Sequence, residues 1–567
     1  MGKVTNRHWI LVGILLSVLC LAYFYMLDRV IFSSAKFSPI FQLLVAVYDN
    51  QAAWLVVVGS LLAAIWNKPA PIVKLVGAIG RHPVATALTS VILLSAGALV
   101  VYHNHPLAMD EYAPVFQSKV FAMGRIAARF SPQLVNWLVM PGFNGVFLIA
   151  SPHTGQVIEA YWPGFALLLA PFQWIGAPWL CNPMLAGIAL YLIFRITLDI
   201  TGDRRAAGFA LLFALASGAF VANAISYYSM QAHLTANLLF AWLLMSPNRA
   251  RALAAGAVGS LALVLHNPVP HALFALPWLI AMLWDKERRR YLPPLVLGYL
   301  PLSIVLGLGW IMLRHQIAAD MPGGAVIGGA VAAIFRWPNA AMLNMRVAAL
   351  AKMWVWAAPC LFLFAFIGGA RHWKSRHVRL LVQSAILTFV GYLFVNLDQG
   401  HGWGYRYFHS AWGVVPILAG CAITGESADS ERLVSFAGAA AVLGLLVIMP
   451  FQLSQIDGFI ARYLAQVPPA RRPGNNIYFI KPGAGFYMSD MVQSDPGLRT
   501  QDLLLVSHGL QQDSVFVRRY WPSAVKVSFG YWGDQWYLGP IDQRAQVGGN
   551  MWERRFVFTP ASTIQSR

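Results

Sequence analysis

Charge is scarce in this sequence, and acid is scarcer still. Only 11% of the 567 residues are charged, and Asp and Glu together number 22. Soluble domains carry roughly 25% charged residues, so a soluble globular chain is excluded. The four cysteines, Cys20, Cys181, Cys360 and Cys421, lie in or beside apolar stretches and form no CxxC. That leaves no readable disulfide framework and no cysteine metal site. No internal repeat or low-complexity tract is present, so the organisation must be read from the apolar runs themselves.

Those runs dominate. Hydrophobic residues make up 58% of the chain, in stretches of about 20 that suffice to cross a hydrocarbon core about 30 Å thick. The net charge of +19 does not point to nucleic acid. Lys and Arg gather in short loops between spans, as the positive-inside rule requires, and some of them can meet anionic lipid headgroups. The N-terminal apolar run is too long for a signal peptide's core and has no small-residue cleavage site after it, so it reads as a retained first span.

Placing the basic clusters inside predicts thirteen spans: 9–27, 45–66, 84–102, 183–200, 206–222, 228–246, 252–266, 271–284, 292–313, 347–369, 380–396, 411–424 and 433–450. The strongest inside markers are DKERRR (285–290) and RHWKSRHVR (371–379). The piece 161–180 is broken by Pro163, Pro171 and Pro178 and reads as interfacial or re-entrant. It belongs to a long outer loop, 103–181. Beyond 452 the hydrophobic runs shorten to strand length, as in NIYFI (476–480) and DLLLVS (502–507), with turn signals between them. The expected fold is an all-α polytopic membrane protein of about thirteen helices with a small α/β domain outside. The membrane part is 1–451 and the outer domain 452–567. The expected location is the plasma (inner) membrane, with a cytoplasmic N-terminus.

With so few acids, the adjacent pair Asp110-Glu111 just beyond span three stands out. A carboxylate at the outer face can take a proton from an attacking hydroxyl. It can also be an ordinary acid at a helix N-terminus. Adjacent helical residues point about 100° apart, so one of the two faces a site: Asp110 as base, Glu111 as support. Lys119 and Arg125 on the amphipathic segment that follows can hold a phosphate or snorkel to headgroups. Glu159 is a second carboxylate of the same loop. His266 and His271 flank a Pro-rich turn at the same face. Their spacing is not HExxH and no local acid joins them, which disfavours a metal and leaves hydrogen bonding to phosphate or sugar, or a structural turn. In GHGWGYRYFH (400–409) three glycines allow close backbone approach and Arg406 offers a planar phosphate-binding fork. Trp403, Tyr405 and Tyr407 offer stacking faces, and His401 a donor. An aromatic interfacial belt is the plainer account of this loop. Span parity brings all these stretches to one face.

That layout resembles the GT-C superfamily of integral membrane glycosyltransferases, in particular the protein O-mannosyltransferase and lipid A aminoarabinose transferase branch. The resemblance rests on Asp110-Glu111 early in the first large outer loop, on GWGYRYF (402–408) and on the C-terminal outer domain. It implies an inverting transferase that uses a polyprenyl-phosphate-linked sugar, with Asp110 as base and Arg406 on the donor phosphate. The acceptor would be a cell-envelope glycan, lipid or protein. Spans one and two precede the family's usual first span, and the loop lacks a metal-binding DxD, so no divalent metal or other cofactor is expected. The alternative is a transporter or flippase of lipid-linked glycans. It is disfavoured because the acids cluster at one face rather than along a pathway.

Overall fold

The computed structural model describes residues 6–31, 40, 42–66, 68–319, 336–395, 399, 402–424, 428–471 and 473–540. Among them, seven helices are long and apolar enough to cross a membrane: His8–Arg29, Gln42–Ile65, Pro83–Val100, Pro178–Thr201, Leu292–Ala318, Arg376–Phe394 and Glu431–Leu464. Pro83–Val100 shows why such helices form. Its proline sits at the first turn, where the missing N–H costs nothing, and its 18 residues carry no charge. Leu88, Ile92 and Leu93 stand exposed along it, presenting an apolar face to lipid. The chain is a multi-pass membrane protein.

The expected count of about thirteen spans is not confirmed, because the fold breaks apolar runs that hydropathy reads as continuous. The run 206–222 becomes two helices, Arg204–Leu215 and Gly218–Ile225, bent by 65°, and counting them as one span gives eight. The run 347–369 is split into Ala340–Val355 and Leu361–Arg371, with Cys360 between them in the left-handed region at φ 60°. The run 411–424 keeps only Val414–Cys421 as α-helix. Every residue of Gly218–Ile225 and Val414–Cys421 is buried. Such short pieces are tolerated at membrane depth because protein, not lipid, surrounds their ends. Within 161–180 the helix Gly164–Trp174 has 11 residues, about 16 Å by the helical rise, too short to cross.

The expected outer loop, 103–181, is folded. It holds the helix Met109–Ala122 and three strands, β1 (Ala128–Arg129), β2 (Leu148–Ala150) and β3 (Gln156–Glu159), in the order β1-β3-β2. At the other end of the chain the last long helix runs on to Leu464, so the expected boundary at 451/452 falls inside it. A four-stranded sheet follows in the order β5-β4-β7-β6, with β4 (Asn475–Ile480), β5 (Asp502–Val506), β6 (Val525–Gly530) and β7 (Gly533–Gly539). β4 and β5 are parallel and the other pairs antiparallel.

Strand alternation ties this sheet to the rest. Successive side chains of a strand point to opposite faces. On β4, Ile477 and Phe479 join a core with Tyr112, Phe116 and Val120 of the outer-loop helix. Tyr478 and Ile480 face the other way, into the large core of the transmembrane helices. The C-terminal sheet therefore shares its hydrophobic core with the outer loop on one face and with the bundle on the other.

The helices Arg249–Leu263 and Leu292–Leu302 approach through paired glycines. A Cβ on Gly256 would lie 2.0 Å from the Leu295 carbonyl oxygen, and one on Gly298 would lie 2.2 Å from that of Leu253. Small residues let backbones touch in a bilayer, where packing rather than water expulsion drives association. Gly256→Val is expected to destabilise the detergent-solubilised protein by about 1–3 kcal/mol through overpacking. Thermal unfolding of the variant beside wild type measures this, and an unchanged midpoint would contradict the contact.

Candidate active site

The Asp110 helix begins at Met109, and its two acids diverge as helical geometry demands. Glu111 turns inward and is fully buried. Its Oε2 accepts from the Tyr102 hydroxyl at 3.1 Å and from the N–H groups of Leu107 at 2.9 Å and Ala108 at 3.3 Å. Its Oε1 accepts from the Tyr227 N–H at 2.8 Å. The Ala108 bond closes back onto the residue preceding the helix, the carboxylate half of a capping box. Burial pushes the Glu111 carboxyl up to about 7, although all four partners are donors that suit the carboxylate. Glu111 is thus a fastening between the outer loop and the Tyr227 turn.

Asp110 turns the other way and keeps 27% of its side-chain surface open. Its Oδ1 accepts from the Tyr161 hydroxyl at 2.5 Å. Its Oδ2 accepts from both terminal nitrogens of Arg406 at 3.3 Å. Burial alone would raise its carboxyl, but the Arg406 guanidinium and the Tyr161 hydroxyl outweigh it and hold the group below its ordinary value. Asp110 is therefore ionised at neutral pH.

Arg406 is placed by the glycine-rich loop. The guanidinium is 3% exposed, lies 4.1 Å from the centre of the Tyr228 ring and donates to the Gln399 carbonyl. Gln399 holds the loop shut: its side chain accepts from the Arg406 N–H at 2.7 Å and donates to the Gly404 carbonyl at 2.9 Å. Gly402 sits at φ 150°, and a Cβ there would come within 2.5 Å of Arg406 Nε. That nitrogen has no hydrogen-bond partner among the described residues.

His266 completes the cluster. Its ring lies on Tyr161 at 3.8 Å between centres. Its backbone carbonyl accepts from the Trp162 N–H at 3.2 Å. Burial pushes it down to about 4, so it is neutral beside the Asp110–Arg406 pair.

The structure brings Asp110, Glu111, His266 and Arg406 together and places the other candidates elsewhere. Lys119 pairs with Asp495 at 3.3 Å. Arg125 is exposed in the turn after the helix. His271 is bound on both ring nitrogens, to the Asn237 side chain at 2.8 Å and the Tyr299 hydroxyl at 2.7 Å, a network between helices that resolves the turn in favour of structure. Trp403 is a core residue packed on Trp356 and Phe459. Tyr405 is buried near Phe389 and Arg346. Tyr407 is stacked on Tyr392 at 4.7 Å. Glu159 is 1% exposed, and neither carboxylate oxygen has a hydrogen-bond partner among the described residues. Burial holds its carboxyl far above the ordinary value, opposed by Arg314. His401 lies outside the described residues. Among the described residues no three His, Cys, Asp or Glu side chains are grouped as a metal site would need.

Tyr161, Tyr228 and Gln399 were not singled out from the sequence as site residues. Tyr161 opens the Pro-broken piece 161–180 and Gln399 immediately precedes the glycine-rich stretch, but an aromatic at a membrane interface has too many ordinary reasons to be there.

No family model matches this chain, and no curated protein matches it. Among solved structures it is similar to ArnT from Cupriavidus metallidurans bound to undecaprenyl phosphate, at 13% identity and a TM-score of 0.48, covering 79% of this chain and 97% of that one. It is also similar to ArnT of the same organism in the apo state, at 14% identity and a TM-score of 0.46, covering 79% and 98%. Identity at this level transfers no residue roles.

The electrostatic arrangement has a direct consequence. Arg406→Gln removes the cation and leaves the burial, so the Asp110 carboxyl is expected to rise from below its ordinary value to above it. The carboxylate form is lost as pH falls through the folded value, so its titration moves to higher pH. Infrared difference spectroscopy against an Asp110→Asn background reads this midpoint, and an unmoved midpoint would contradict the pairing.

Proposed function

We propose that this protein is a glycosyltransferase that moves a sugar, with inversion, from a polyprenyl-phosphate donor to an acceptor outside the cytoplasm. The observation that carries the reading is the Asp110–Arg406 pair. Two motifs 296 residues apart in sequence, one an early outer-loop acid and the other a glycine-rich arginine loop, meet in a contact that is partly open on the acid's side. The resemblance to membrane glycosyltransferases rests in part on those same two motifs.

Helix ends support the sidedness. Val269–Trp284 carries His271 near its start, close to Asn237 and Tyr299, and is followed by Asp285. Arg376–Gly391 begins at Arg376, which pairs with Asp285, and is followed by Tyr392, which stacks on Tyr407 next to Arg406. The basic clusters and the site thus lie at opposite ends of the same helices. With the positive-inside rule, the site belongs to the outer face.

In this reading the donor phosphate competes with Asp110 for Arg406. Arg406 has the fork that matches phosphate oxygens, and its Nε is without a partner among the described residues. Once the phosphate draws the guanidinium away, burial is no longer opposed and the Asp110 carboxyl becomes more basic. The donor thereby activates the base. The acceptor oxygen attacks the anomeric carbon and loses its proton to Asp110. The bond from that carbon to the phosphate oxygen breaks, and the polyprenyl phosphate leaves with its added charge stabilised by Arg406. Tyr161 holds the carboxylate's other oxygen in position. The step uses no metal and no other cofactor.

Asp110→Asn keeps the shape and removes the base. Transfer from a panel of polyprenyl-phosphate sugars to envelope acceptors, followed by mass spectrometry, is expected to fall by about 10²–10⁴-fold while donor binding persists. Wild-type rates in the variant would refute the assignment.

A further inference from the structure

The short C-terminal segment from Asp490 to Asp495 lies against the Asp110 helix along its length. Asp490 Oδ1 accepts from the Met109 N–H at 3.0 Å, one of the amides of the first turn that no helical carbonyl reaches. Gln493 donates to the Pro106 carbonyl at 2.7 Å, in the turn that leads into the helix. Ser494 offers its carbonyl to the Tyr112 hydroxyl at 2.6 Å. Asp495 pairs with Lys119 at 3.3 Å near the far end. From Met109 to Lys119 is about 15 Å of helix at its rise per residue.

The contact with Met109 is also the nearest to the chemistry, because Met109 precedes Asp110. The helix lacks the usual means of fixing its own start: the residue before it is Ala108, whose side chain has nothing to accept with. Glu111 ties the Ala108 and Leu107 amides, and the Met109 amide is left for another group. Asp490 supplies it from the far end of the sequence, 381 residues away. It is 7% exposed, and burial pushes its carboxyl up to about 7, so the position calls for an acceptor rather than a full charge.

We propose that Asp490 is a positioning residue for Asp110, and that the C-terminal domain is the clamp that sets the register and tilt of the catalytic helix. For its kinetic arm this rests on the transferase reading; its structural arm does not. A carboxylate that must meet both Arg406 and an acceptor hydroxyl needs the helix held to within about an ångström, since a small misplacement costs on the order of 10²-fold in rate.

Hydrogen exchange of the full-length protein in nanodiscs tests the clamp directly. In Asp490→Ala, the amides around Met109–Tyr112 are expected to exchange about tenfold faster, while the transmembrane helices keep wild-type rates. Asp490→Asn preserves the acceptor and is expected to restore wild-type protection. With a polyprenyl-phosphate sugar donor, Asp490→Ala is expected to lower kcat by about 10–100-fold with KM for the donor nearly unchanged, and Asp490→Asn to recover most of it. Unchanged exchange in Asp490→Ala would overturn the proposal, as would an Asn variant as damaged as the Ala variant. If exchange responds as expected but wild-type protein transfers no sugar, the clamp stands and the transferase reading fails. Should Asp490→Ala fail to fold, Tyr112→Phe removes one clamp hydrogen bond from the helix side. Faster exchange confined to that helix is then the expected result, and no change overturns the idea.

Discussion

A guanidinium 3% exposed is the constraint around which this molecule is arranged. Its charge cannot be lost at any accessible pH. Removing the partner of such a buried pair typically costs about 3–5 kcal/mol. Arg406 is therefore met from several directions at once: Asp110 by charge, the Tyr228 ring by its face, the Gln399 carbonyl by a hydrogen bond. Each partner comes from a different part of the chain. The long outer loop, the turn before Met230–Met245 and the glycine-rich loop have to converge because one cation needs them all.

Convergence of that kind needs fasteners, and the structure uses its few acids for them. Glu111 accepts from the outer loop and from the Tyr227 turn, and so sets the distance between the Asp110 helix and the segment that carries Tyr228. Asp490 does the same for the C-terminal domain. Asp110 differs from these two. It is the acid whose carboxyl is held low by a cation and left partly open, whereas burial pushes Glu111 and Asp490 up to about 7. Adjacent carboxylates in one helical turn thus serve opposite ends, one anchoring and one facing the opening, and the 100° step of the helix separates them.

How far this was legible in the sequence depends on what each feature needs from the third dimension. Scarce acids and apolar runs are properties of the chain itself, so the multi-pass class could be read directly, and Asp110 and Arg406 could be named before their contact was seen. The span count is not confirmed where the fold interrupts an apolar run for packing reasons, as at Cys360 between Val355 and Leu361, or where a buried helix is shorter than the bilayer. His271 and Trp403 misled for a related cause. A polar or aromatic side chain near a membrane face looks the same in sequence whether it faces a ligand or a neighbouring helix. Only the Asn237 and Tyr299 bonds of His271 and the Trp356 and Phe459 contacts of Trp403 separate the two. Glu111 was read as support, and its four donors give that word a physical content.

The two N-terminal helices can be placed in the same scheme. Asp49, buried in the second of them, accepts from the Trp356 indole at 2.7 Å and pairs with Lys352 at 3.3 Å. Trp356 in turn packs against Trp403, and its carbonyl accepts from the Ala219 N–H at 2.9 Å. Ala219 and Trp356 are the side chains that a Cβ on Gly404 would meet. A continuous set of contacts therefore runs from the second helix through Trp356 to the loop that aims Arg406. The loop's glycines let it bend tightly around the guanidinium but give it no rigidity of their own. Rigidity has to be supplied from outside, by large side chains anchored to helices. Asp49 and Trp356 supply it from beneath the loop, and the C-terminal clamp supplies it on the Asp110 side. The N-terminal helices and the C-terminal domain then answer the same need from opposite sides of one ion pair.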